Sequence, residues 1–143
     1  MKVFITGASS DIGQALARHY ASLGAELGLV GRRRPLLDSL AAELNTTCAV
    51  YALDVRDSAA LEHAAQDFMQ RLGVPDIVIA NAGVSRGTLT GHQQDTAVFQ
   101  AIFDTNVLGM LHTFQPFIAA MSAAAEENPD HYRLVGIASV AGI

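Results

Sequence analysis

Thr6-Gly7-Ala8-Ser9-Ser10-Asp11-Ile12-Gly13, directly after the apolar run Val3, Phe4 and Ile5, decides the fold of this chain. A β-rich run that feeds a turn of small residues and then opens into a helix builds a cradle for a phosphate. Glycine lets the backbone turn sharply and approach an anion. The helix N-terminus adds unpaired N–H groups and the positive end of a dipole. Asp11 followed three residues later by Gln14 has the form of a capping box, which predicts a helix over 12–23 that stops at Gly24.

Outward from this turn, short β-rich runs alternate with longer helical patterns, as in a parallel sheet covered by helices on both faces. The pattern predicts strands near 2–5, 26–30, 49–53, 76–80 and 133–138. Pro35 suits the first turn of a second helix over 36–44. Asp57 or Ser58 caps a third helix, which carries Leu61, Ala64, Ala65, Phe68 and Leu72 on one face and ends at Gly73. A fourth starts near Asp95 and holds Val98, Ile102, Phe103, Val107, Leu108, Leu111 and Phe114 before a kink at Pro116. The expected fold is α/β: a single Rossmann-type, doubly wound parallel sheet over 1–143, with strand order 3-2-1-4-5 and an end after the fifth strand.

Composition narrows the function. A formal charge of −5, with no basic run longer than Arg32, Arg33 and Arg34, offers no footprint for nucleic acid or an anionic membrane. Cys48 is the only cysteine and the five histidines are widely spaced, so no metal is expected. The stretch before Gly7 is too short for a signal peptide and no apolar run approaches a membrane span, which predicts a soluble, cytoplasmic protein.

The turn also resembles the Gly-rich turn of the short-chain dehydrogenase/reductase family, Thr-Gly, three residues, Gly, any residue, Gly. Gly7 and Gly13 match, and Asp11 stands where the middle glycine would be. The resemblance assigns the cofactor's pyrophosphate to Thr6, Gly7, Ser9, Ser10, Asp11, Ile12 and Gly13. After the second strand comes Val30-Gly31-Arg32-Arg33, with no acid before Asp38. Arginine here suits a 2′-phosphate where an acid would suit bare ribose hydroxyls, so Arg32 and Arg33 favour NADP(H) over NAD(H). Because Asp11 would repel a pyrophosphate, its side chain is expected to turn back on its own helix or lie near Arg32 or Arg33.

Further matches follow in order. Asp54-Val55 is similar to the pair that holds adenine in the family, and Ala80-Asn81-Ala82-Gly83 resembles its Asn-Asn-Ala-Gly element with the first Asn changed. Small residues such as Ala82 and Gly83 would let the backbone pass close to the cofactor ribose, and Asn81, in the same cofactor-binding element, can tie the central strand. Asn106, with Gly109 after it, stands where the family interrupts a helix and holds a water for proton relay. Ser139, within Ile137-Ala138-Ser139-Val140-Ala141-Gly142, stands where a catalytic serine binds the substrate carbonyl.

The resemblance implies hydride transfer between a nicotinamide and a small carbonyl or alcohol substrate, in a homo-oligomer assembled partly through the fourth helix. It also requires a tyrosine with a lysine four residues later. Here Tyr20, Tyr51 and Tyr132 are followed at that distance by Gly24, Val55 and Gly136, and Lys2 is the only lysine. The tyrosine's expected place lies past Ile143. Two readings stay open: the cofactor-binding part of a longer reductase, inactive alone, or a non-catalytic NADP(H)-binding or regulatory module. Asn106 and Ser139 favour the first. Val135 and Ile137 would give the fifth strand an exposed apolar edge, which predicts that these 143 residues alone are marginally stable or associate through it.

Overall fold

The computed structural model describes residues 1–87, 89 and 91–139. Five parallel strands, β1 (Lys2–Thr6), β2 (Glu26–Gly31), β3 (Cys48–Ala52), β4 (Ile77–Ala80) and β5 (Arg133–Gly136), form one sheet in the order β3-β2-β1-β4-β5. This is the expected doubly wound topology, with β1 at its centre. Alternation along β1 serves both faces. Val3 and Ile5 pack with Leu27, Leu29, Leu37 and Leu40 on the side of α1 (Asp11–Ser22) and α2 (Arg34–Glu43). Phe4 faces the other layer, α3 (Ser58–Leu72) and the helix leading into β5, and meets Phe68 edge-on at 5.4 Å and Phe117 at 4.8 Å. Gly28 lies beside Phe4 in the register, and a Cβ there would stand 2.5 Å from the Phe4 ring and 2.8 Å from that of Phe68. The strand keeps a glycine because the rings occupy that space.

Helix ends follow local chemistry. Gly24 closes α1 at φ 76°, with its N–H on Ala21 O and that of Ala25 on Tyr20 O. Asp57 caps α3, its carboxylate accepting from Ala60 N at 3.0 Å. The expected fourth helix is divided: a 3-10 turn at Gln93–Asp95, α4 (Thr96–Phe103), a π turn at Asp104–Leu108, and α5 (Gly109–Ala125). Pro116 lies inside α5, which continues past it to Ala125. By length and composition alone, Gln93–Ala125 could cross a membrane, with a mean hydropathy of 1.3 in its best window. That corrects the expectation that no run reaches such a length. In the fold, Thr113, Phe117 and Met121 of this stretch are buried where α5 packs on α3 and β4, while Leu111 and Ile118 on its other side are exposed.

Two further expectations are corrected. The helix after the Gly-rich turn starts at Asp11, not Ile12, because Ser10 is the residue that keeps the extended conformation of a cap (φ −136°, ψ 153°). The Asp11–Gln14 capping box therefore does not form. β5 ends at Gly136, although Ile137 N still donates to Ala80 O at 2.9 Å. Leu134 in this strand and Ile137 just after it are exposed, while Val135 is partly buried against the α1–α2 core.

Candidate functional site

The C-terminal ends of β1, β2, β3 and β4 open onto one cleft, the usual ligand position in an open parallel sheet. It is lined by Gly7, Ser9, Ser10, Gly31, Arg32, Arg33, Leu53, Asp54, Val55, Ala82, Gly83, Val84 and Thr105. Most of the residues singled out from sequence thus meet here. Thr6, Asp11, Ile12, Gly13, Asn81, Asn106 and Ser139 do not line it.

Thr6, Gly13 and Asn81 act from behind. Gly7 turns the chain at φ 68°. Gly13 packs on it so closely that a Cβ would collide with the Gly7 carbonyl. Thr6 is fully buried, and its Oγ1 accepts from Asn81 N at 3.2 Å and Ala82 N at 3.3 Å. Asn81 Nδ2 donates to the carbonyl oxygens of Thr6 and Gly7, each at 3.2 Å. Ala8 N reaches Val30 O at 3.0 Å and ties the turn to β2.

Charges are distributed unevenly. Arg34 pairs with Asp38 at 2.8 Å and Arg33 Nη2 donates to Ser9 O at 2.9 Å. Arg32 lines the cleft and has no hydrogen-bond or ion-pair partner among the described residues. The exposed Asp11 side chain makes neither a hydrogen bond nor an ion pair among the described residues. A carboxylate in the first turn interacts favourably with the helix dipole without such partners.

At the end of β3, Arg56 grips Asp54 with its Nε and Nη2 at 3.1 and 2.7 Å, and the Arg56 main-chain N–H adds a bond at 3.0 Å. These bonds hold the Asp54 carboxyl below the usual carboxylate range, against a smaller opposing effect of burial, and the charge of Arg32 acts in the same direction as Arg56. Val55 is fixed from α5. Its carbonyl oxygen lies 3.1 Å from His112 Nδ1, which must carry the proton because a carbonyl only accepts. A Cβ on Gly109 would stand 2.6 Å from Val55 Cγ2.

Asn106 sits in the π turn, where the bond from Gly109 N spans five residues to Asp104 O. Its side chain exchanges two 2.9 Å bonds with Val84, accepting from the N–H and donating to the C=O. The amide thus fastens the loop after β4 to the helix. Ser139 is exposed, three residues past the end of β5, and outside the cleft lining. Val140, Ala141 and Gly142 of its motif lie outside the described residues.

Sequence reasoning missed Gly31, Leu53, Val84 and Thr105 as lining residues, and Arg56 and His112 as supports. Each of the first four adjoins in sequence a residue that the motifs named, but only Gly31 is the end of a strand; Leu53 and Val84 lie in the loops after β3 and β4, and Thr105 lies in the π turn.

Comparison with known proteins agrees with the fold. A family model described as short chain dehydrogenase matches residues 1–143. An uncharacterized oxidoreductase of Staphylococcus epidermidis is 31% identical over 139 residues, 96% of this chain and 57% of that protein. An NADP-dependent 3-hydroxy acid dehydrogenase of Salmonella typhi is 29% identical over 142 residues, 99% of this chain and 55% of the other. The crystal structure of a 3-oxoacyl-[acyl-carrier protein] reductase from Brucella melitensis with bound NAD superposes with a TM-score of 0.84 at 28% identity, covering 99% of this chain and 54% of that one. The chain spans about half the length of these relatives.

Proposed function

The chain belongs to the short-chain dehydrogenase family, and from that premise we propose that it is the NADP(H)-binding part of an oxidoreductase that interconverts a small carbonyl compound and its alcohol. One observation carries the cofactor choice: Arg32 lies in the cleft with no hydrogen-bond or ion-pair partner among the described residues, while its neighbours Arg33 and Arg34 each have one. A guanidinium left free at the end of β2 matches a 2′-phosphate, and no acid stands there to select bare hydroxyls. The residues present fit a dinucleotide: Gly7, Ser9 and Ser10 line the cleft at the start of α1, and Gly13 packs against the Gly7 carbonyl so closely that a side chain there would push the turn away from the helix.

When bound, the nicotinamide supplies or accepts a hydride. The chain's own residues bind and orient it. The N–H groups at the start of α1 would receive the pyrophosphate and Asp54 would accept from the adenine amino group, while Asn81 holds the ends of β1 and β4 together beside the cleft. Asn106 keeps the loop after β4 in place, and Ser139 would hydrogen-bond the substrate carbonyl. No tyrosine here has a lysine four residues on, so proton transfer and turnover are not expected from these 143 residues alone.

The test is equilibrium binding of NADPH and NADH, repeated with Arg32→Ala. NADPH should bind at least tenfold more tightly than NADH, and the substitution should remove the difference. Equal affinities in the unmutated chain would overturn the cofactor choice.

A further inference from the structure

We propose that the two arginines after β2 divide their work: Arg32 meets the 2′-phosphate, and Arg33 is a positioning residue that holds the phosphate-binding turn through the Ser9 carbonyl. This rests on the cofactor reading above and goes beyond it by separating two adjacent, chemically identical side chains.

The argument begins with the turn. A loop that presents its N–H groups to an anion turns its carbonyls the other way, and each carbonyl shielded from water needs a donor. Ser9 is 7% exposed and lies outside α1. Its oxygen takes its donors from side chains, Arg33 Nη2 at 2.9 Å and Gln14 Nε2 at 3.4 Å. The Arg33 bond is the shorter and carries a full charge, so it dominates. The Ser9 side chain is enclosed as well, because a Cβ on Gly31 would stand 3.0 Å from its Oγ. Arg33 thereby joins the end of β2 to the middle of the turn, across 24 residues of sequence.

The Arg33 Nη2 bond to a main-chain carbonyl acts on the turn, and the turn would contact the pyrophosphate, which NADPH and NADH share. Arg32 acts on the phosphate that only NADPH carries. The two residues should therefore separate by ligand: loss of Arg33 weakens both cofactors equally, and loss of Arg32 weakens one.

The experiment compares the unmutated chain with Arg33→Met, which keeps the length of the stem and removes the donor, and with Arg32→Met. Dissociation constants for NADPH and NADH are measured by titration, circular dichroism checks folding, and amide hydrogen exchange is followed without cofactor. Arg33→Met should raise both constants by the same factor, about fivefold, and speed exchange of the Ser10, Asp11 and Ile12 amides. A loss for NADPH that exceeds the loss for NADH by tenfold would place Arg33 on the 2′-phosphate and overturn the proposal. Unchanged exchange in the turn would overturn it too. If the unmutated chain fails to prefer NADPH, the cofactor reading falls, while the exchange measurement still decides whether Arg33 holds the turn.

Discussion

Asn81 donates twice to Thr6, from its main-chain N–H to Oγ1 and from its side-chain amide to the carbonyl oxygen, each at 3.2 Å. One residue of β1 thus fixes the end of β4, and the Thr6 hydroxyl also receives Ala82 N at 3.3 Å. Thr6→Val keeps the shape and removes the acceptor, leaving two amides without their partner. The expected cost is about 1–3 kcal/mol in urea unfolding. Thr6→Ser should restore most of it. A valine variant as stable as the parent would show that water replaces the hydroxyl.

Gly13→Ala should be worse than its size suggests. The added methyl meets the Gly7 carbonyl, which is main chain in a turn already held at positive φ. Relief requires the turn to move away from α1, and the pyrophosphate site moves with it. Main-chain displacement costs about 1–3 kcal/mol, so NADPH affinity should fall by roughly tenfold or more. Titration calorimetry checks this. Retained affinity would mean that the turn adapts freely.

Gly28→Ala tests the core independently of the site. The methyl would enter space held by the Phe4 and Phe68 rings, at 2.5 and 2.8 Å. Aromatic rings in a close-packed layer have little room to yield, so overpacking should lower stability by about 1–3 kcal/mol. Thermal and urea unfolding would show it. Cofactor preference should be unaffected, because Arg32 does not touch this layer.

How legible these features were in the sequence depends on how local they are. The turn, the strand order and Asn81 were readable because glycine spacing and strand periodicity are local signals. The start of α1 was displaced by one residue because Ser10 and Asp11 are both good caps, and only the extended backbone at Ser10 decides between them. Asn106 stood out as an amide on an apolar helix, yet its partner Val84 lies 22 residues away in a loop without periodicity. Arg32 and Arg33 cannot be separated by residue type. Their roles come from an irregular step between strand and helix, where Arg33 takes φ −99° and ψ 87°.

The Asp54–Arg56 pair should be visible in a pH titration. Its folded pKa lies below that of the unfolded chain, so the stabilisation is complete above the unfolded value and is lost as pH falls through the folded one. The effect on stability is small, since the Arg56 and Asp54 side chains are 48% and 28% exposed. The cleaner measurement is the Asp54 carboxyl carbon shift by NMR. Its midpoint should lie below the ordinary aspartate value and rise in Arg56→Ala. An unchanged midpoint would remove Arg56 as the cause.

Association of the 143-residue chain is the remaining expectation. Among the described residues β5 pairs only with β4, which leaves its outer edge unpaired, with Leu134 45% and Ile137 36% exposed beside it. Such an edge is a template for another strand. A second apolar surface runs along the helices, where Phe99, Phe103, Val107 and Leu111 recur at four-residue spacing and are each between 45% and 52% exposed. Size-exclusion chromatography over a concentration series should therefore show a rising apparent mass. Leu134→Lys places a charge on the edge and Phe103→Glu one on the helical ridge, so the variant that restores the monomer identifies the contact. If the edge argument holds, Leu134→Lys acts and Phe103→Glu does not. A monomer at all concentrations would mean that neither surface is adhesive.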